Sequence, residues 1–141
     1  MNFKATLMSL PLAVLPLICT APAHAQFNAA LSVNVPFRYA AGSQSLPPGE
    51  YQVKSDPVNH RVLLQGNGKG SILIGFSARS FNPPANPCRL VFARYGSVYF
   101  LSEVWTGESD YGIQLPKSKA EKEHLARGET KDETVALLAS R

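Results

Sequence analysis

The stretch that most constrains the fold runs from Arg89 to Thr106, RLVFARYGSVYFLSEVWT. Two apolar arms rich in Val, Leu, Phe and Tyr flank Tyr95-Gly96-Ser97. β-Branched and aromatic residues on both sides of a tight Gly turn predict a β-hairpin. Alternation puts Leu90 and Phe92 on one face of the first arm, and Val98, Phe100 and Val104 on one face of the second. The remaining parity carries Tyr95, Tyr99 and Trp105.

The chain before this hairpin repeats the same language. Leu31, Val33, Val35, Phe37 and Tyr39 alternate with Ser32, Asn34, Pro36 and Arg38, which predicts a half-buried strand. Pro36 has no N–H for a ladder, so that strand lies at an edge or carries a bulge there. Ala40 to Pro48 reads as turn, ending in Pro48-Gly49. Tyr51–Lys54 is a second strand, Asp56–Asn59 a turn, and His60–Gln65 a third strand with Val62 and Leu64 opposite Leu63. Gly66-Asn-Gly-Lys-Gly70 is a hairpin loop, because Asn-Gly readily supplies two positive-φ positions. Ser71–Ala78 is a fourth strand with Ile72, Ile74 and Phe76 inward, bent at Gly75. Arg79–Pro87, stiffened by Pro83, Pro84 and Pro87, is the longest irregular connection. The hairpin supplies strands five and six. Short loops without crossover helices predict an all-β fold, a six-stranded antiparallel meander forming a small barrel or a sandwich.

The two ends differ from this body. Lys4, the apolar run Ala5–Ile18 and the Ala23-His24-Ala25 site read as a signal peptide over residues 1–25, cleaved at Ala25/Gln26. The residues before Cys19 do not make a lipobox. The expected localisation is periplasmic or secreted. Without Lys4 the net charge falls from +4 to +3, and residues 26–116, the β domain, carry seven basic and five acidic side chains. So small an excess leaves no electrostatic footprint for nucleic acid. Cys88 is then the single cysteine, so strand pairing and burial must hold the fold without an internal disulfide. No further apolar run is long enough for a transmembrane segment in the mature chain. Residues 117–141 form a charged C-terminal segment with a short helix, Lys119–Arg127, entered through a Ser118-x-x-Glu121 capping box and closed by Gly128. Glu123 and Arg127 are spaced as a favourable i,i+4 pair. The apolar stripe of Ala120, Leu125 and Ala126 is faint, so weak docking or fraying is expected. Val135–Ala139 is a short apolar end that docks onto the body or extends a helix.

Val35-Pro36-Phe37, Leu46-Pro-Pro-Gly-Glu-Tyr51, Leu90-Val-Phe-Ala-Arg-Tyr-Gly96, Tyr99-Phe-Leu-Ser-Glu-Val-Trp-Thr106 and Leu115-Pro-Lys-Ser-Lys119 occur in that order. In these motifs, over most of 31–125, the chain resembles a family of short exported bacterial β-domain proteins of unknown function. The resemblance implies a secreted β domain with a charged C-terminal helix, and carries over no site residue.

The residues that invite a chemical reading each have a structural one. Gly66-x-Gly68-x-Gly70 precedes an apolar strand, not the helix N-terminus a phosphate loop needs, so it is a hairpin turn. Cys88 with His60 or His124 as base would need hydrogen-bond proximity; a structural thiol is the expectation. Glu121 and His124 share a helix face but make two ligands where zinc wants three or four. Glu103 with Asp110 near Trp105 suggests glycoside chemistry, against the commoner pairing of a strand carboxylate with Arg94 or Arg61 across the sheet. Tyr95, Tyr99 and Trp105 make an interaction surface if their face is exposed; covered by the C-terminal segment, they make a second core. That second core is favoured, because Leu125, Val135, Leu137 and Leu138 otherwise have little to bury against.

The function expected from this inventory is an exported, non-enzymatic β domain with a binding or scaffolding role, with no catalytic, cofactor-binding or metal residues and no cofactor. Its partner would be another envelope protein or surface, and nothing in the sequence sets the oligomeric state. The alternatives are a small β-barrel binding an apolar small ligand, and a small secreted hydrolase built on Cys88 or Glu103. Six strands leave little interior for the first.

Overall fold

The computed structural model describes Phe27 and residues 30–68, 70–81 and 88–140. The expected signal peptide with Cys19, and Lys69, Pro83, Pro84 and Pro87 of the loops, lie outside the described residues. In chain order the elements are β1 (Leu31–Val35), β2 (Tyr39–Ala41), β3 (Gln44–Leu46), β4 (Gly49–Asp56), β5 (Arg61–Gly66), β6 (Ser71–Gly75), β7 (Ala78–Ser80), β8 (Cys88–Tyr95), β9 (Val98–Thr106), β10 (Gly112–Gln114), α1 (Lys119–Ala126) and β11 (Glu133–Leu138). The all-β class and the short C-terminal helix are as expected, with more and shorter strands than six.

Two sheets enclose one core. The first has the order β1-β4-β5-β6, antiparallel throughout. The second runs β11-β8-β9-β10-β7, with the β2–β3 hairpin attached to β9. That attachment is parallel, Tyr39 opposite Tyr99 and Ala40 opposite Phe100, so the fold is not a pure antiparallel meander. The sheets meet where Ser140 continues β11 onto β1, with Ser32 N–H to Ser140 O at 2.7 Å and the reciprocal bond at 2.9 Å. On the other side the chain passes from β6 to β7 through Phe76 and Ser77.

Where strands differ from expectation, the cause is local. The first alternation is broken at Pro36, as a missing N–H requires, into β1 and β2. The buried parity survives the break: Leu31, Val33, Val35 and Tyr39 are all buried. The region expected as turn, 40–48, holds the β2–β3 hairpin around Gly42 at φ +57°. The expected fourth strand likewise divides after Gly75, and Arg79 and Ser80, expected in an irregular connection, pair with Ile113 and Gly112. The expected apolar end is strand β11, with Val135 opposite Phe92 and Leu137 opposite Leu90.

The core is filled from both sheets by Leu31, Val53, Leu64, Leu90, Phe92 and Val104, each fully buried, and by Tyr39 and Tyr51. Each such aliphatic or aromatic side chain contributes roughly 1.5–3 kcal/mol. Tyr39 meets Tyr51 and Phe92 edge-on at 5.5 and 5.2 Å. A bulge sits in the hairpin. Val91 opposes Glu103 but Phe92 opposes Leu101, so Ser102 is the extra residue. Its hydroxyl donates to Val91 O at 3.0 Å, and its carbonyl accepts from Leu115 N–H at 2.8 Å. The extra residue inverts the parity of β9. Leu101 and Val104 both enter the main core, while Phe100 turns away to join Ala93 and Tyr95. The expected shared face of Val98, Phe100 and Val104 is corrected accordingly: Val98 and Phe100 belong to the smaller cluster and Val104 to the larger.

Among the described residues, no helix is long and apolar enough to cross a membrane. Helix α1 starts at Ser118, whose Oγ accepts from Glu121 N–H at 3.1 Å. It ends in a Schellman motif: Glu129 N–H to His124 O and Gly128 N–H to Leu125 O, with Gly128 at φ +80°.

Candidate functional site

The most buried charged side chain of the helix is Glu121, 3 % exposed on an otherwise solvated element. A lone buried carboxylate is costly, so it must be paired and hydrogen-bonded. Tyr95 Oη donates to Glu121 Oε1 at 3.1 Å, and Lys117 Nζ lies 3.2 Å from the same oxygen. Burial, then the negative charge of Glu121, pushes the Tyr95 phenol up from its ordinary pKa. Burial opposes the charge of Lys117, but the bond to Glu121, its negative charge and Tyr95 together outweigh it and the lysine is held above its ordinary value. His124, one turn on, stacks on Tyr95 at 6.1 Å and meets Phe100 edge-on at 5.6 Å. Its Nδ1 is bonded to the Glu129 carboxylate.

The helix therefore docks through polar groups onto the outer aromatic cluster of β8 and β9 and not by its faint apolar stripe. Only half of the expected capping box forms, because Glu121 reaches the hairpin instead of back to Ser118. The expected Glu123–Arg127 pair is replaced by Arg127–Glu129 at 3.6 Å. Leu125 and Leu138 stay exposed, whereas Val135 and Leu137 pack on the main core.

Tyr95, Tyr99 and Trp105 do not form one exposed surface. Tyr95 is buried beneath α1. Tyr99, on the other side of the strand, stacks on Phe37 with ring centres 3.9 Å apart. Trp105 is buried against Gly112, and its Nε1 donates to Glu103 Oε2 at 2.8 Å. The turn sets Tyr95 opposite Val98 and so on the face away from Tyr99, and the bulge at Ser102 separates Tyr99 from Trp105. Glu103 thus serves the indole in place of the expected arginine: Arg94 pairs with Glu133 at 3.3 Å and Arg61 with Asp56 at 4.0 Å. The Cys88 thiol donates to Thr106 O at 3.4 Å. His60 rests on Phe76, ring centres 5.6 Å apart, and His124 is held as described. Among the described residues, no group of three or more His, Cys, Asp or Glu is placed to hold a metal ion.

Two clefts open on the surface of the described residues. One, of about 590 Å³, lies between the β2–β3 hairpin (Gly42, Ser43, Gln44) and the start of α1 (Ser118, Lys119, Glu123). The other, of about 370 Å³, opens on the outer face of the first sheet, lined by Ser32, Glu50, Gln52, Gln65, Asn67 and Gly68 among others. Strand alternation carries the signal for this second cleft, since Ser32, Gln52 and Gln65 each sit between inward apolar residues. No family model, curated protein or solved structure matches the chain.

Proposed function

We propose that the chain is an exported, non-enzymatic β domain that binds or scaffolds at the cell envelope. One observation carries the reading. Among the described residues, these groups able to do chemistry are engaged by structural neighbours: Cys88 by Thr106, Glu103 by Trp105, Glu121 by Tyr95 and Lys117, and Asp56 by Asn59. The clefts are lined largely by amides, hydroxyls and small residues, with Glu50 in the one on the first sheet and Lys119 and Glu123 in the one beside α1. That is the equipment of recognition, not of bond breaking, which needs an acid, base or nucleophile directed at substrate. The aromatic and aliphatic filling between the sheets weighs against an apolar ligand held inside. The leader-like residues 1–25 and the ordered set of motifs support export.

The test is genetic and structural together. Cys88→Ala, His60→Ala and Glu103→Gln are each introduced at the native locus and checked for folding by circular dichroism. Each is expected to leave the cellular phenotype of the gene intact. A folded variant that abolishes the phenotype would overturn the reading in favour of catalysis.

A further inference from the structure

We infer that the outer face of the first sheet is a binding site for uncharged carbohydrate, a neutral glycan chain laid across β1, β4 and β5. This rests on the binding role proposed above and names its ligand class.

The register makes the site. Ser32 opposes Gln52, Gln52 opposes Gln65, and Gln65 opposes Ser71. Opposed residues share a face, so one row of hydroxyl, amide, amide and hydroxyl crosses all four strands. With strands about 4.8 Å apart, the row is about 15 Å long. Ser32 is held in the row from both sides, by β4 and by the backbone bridge to Ser140. Along one side of the row Asn67 and Gly68 of the hairpin loop form a lip, with Asn67 N–H to Glu50 O at 3.4 Å. Gly68, at φ +71°, has nothing within 4 Å of where a Cβ would stand, so the lip presents bare backbone to the cleft.

The chemistry selects the ligand. Amides and hydroxyls each donate and accept, as sugar hydroxyls do; Lys and Arg only donate, and a carboxylate only accepts. Among the described residues, those lining the cleft include no basic group and one acid, Glu50. A polyanion such as nucleic acid or an acidic polysaccharide would meet the Glu50 carboxylate and no counter-charge among the described lining residues. An extended peptide adds to a sheet through an unpaired edge, but β4 and β5 are paired on both sides. A row of neutral two-way hydrogen-bonding groups at strand spacing fits a repeating neutral polyol, with water filling imperfect contacts.

The experiment is a titration of the purified ¹⁵N-labelled protein with cellohexaose, maltohexaose and chitohexaose, and with heparin as the anionic comparison. The expected result is saturable movement of the Gln52, Gln65 and Asn67 side-chain amide signals with at least one neutral hexasaccharide. The expected Kd is around 1 mM, weakened about tenfold or more in Gln52→Ala/Gln65→Ala. The variant's backbone spectrum should otherwise overlay on the parent's. Saturable movement at another surface, such as the cleft beside α1, would overturn the assignment and leave the binding role standing. So would movement with heparin alone. No saturable movement with any neutral glycan would overturn it also, and the wild-type titration decides this whether or not the double variant folds. The phenotype test of Cys88, His60 and Glu103 judges the binding role separately.

Discussion

The phenol of Tyr95 donates to the carboxylate of Glu121, 26 residues further on, at 3.1 Å. This bond joins the end of the central hairpin to a helix whose own sequence offers almost no apolar reason to dock. Replacing Tyr95 by Phe leaves the buried Glu121 with Lys117 alone. The expected loss at neutral pH is about 1 kcal/mol, read as a lower urea midpoint.

The same contact predicts alkaline behaviour. Tyr95 and Lys117 both have folded-state pKa values raised above their ordinary 10.0 and 10.5. A raised value means that the stabilisation is complete below the unfolded pKa and is lost as pH climbs through the folded one. The urea midpoint should therefore hold to about pH 10 and fall beyond it. Tyr95→Phe should show a shallower alkaline fall than the parent. The slope will not vanish, because burial also raises Tyr39 and Tyr51.

Asp56 predicts the acid limb. The Asn59 side-chain amide and backbone N–H hold its carboxyl below the ordinary 3.8. A lowered value gives stability that is present above the unfolded pKa and lost as pH falls through the folded one. Thermal midpoints should fall below about pH 4, and Asp56→Asn should flatten that fall while lowering the neutral-pH midpoint.

Gly112 lies flat against Trp105. A Cβ there would stand 2.6 and 2.7 Å from ring atoms Cδ2 and Cζ2. Gly112→Ala should cost about 1–3 kcal/mol through overpacking. Trp105 is the single tryptophan, so a change in its emission would report the displaced ring directly.

Strand β11 offers a test of register. Leu137 packs on the core, whereas Leu138 is 65 % exposed. Leu137→Ala should cost about 2 kcal/mol, and Leu138→Ala less than about 0.5 kcal/mol. Equal costs in chemical denaturation would refute the observed register.

Faces were legible where period-2 alternation ran unbroken. Leu31, Val33 and Val35, Val62 and Leu64, and Ile72, Ile74 and Phe76 all point inward as their spacing predicts. The Gly66–Gly70 and Gly96 turns were legible because positive φ demands particular residues. What was hidden depends on contacts distant in sequence. Nothing local at Ser102 announces a bulge, so the expected shared face of Tyr99 and Trp105 does not form. The β2–β3 hairpin exists through its hold on β9, and its Gly- and Ser-rich sequence reads as turn. Glu121 looked like a capping residue because its competing partner, Tyr95, comes from the hairpin. The row Ser32–Gln52–Gln65–Ser71 needed strand order and register, which alternation alone does not supply.

The Ser32–Ser140 bridge spans 108 positions, and β11 forms one margin of the second sheet. Neither seam can close until residues 133–140 have left the ribosome. Closing so long a loop comes at an entropic cost before any contact repays it, which makes acquisition of the native state slow. The chain therefore stays without both native seams until those residues emerge.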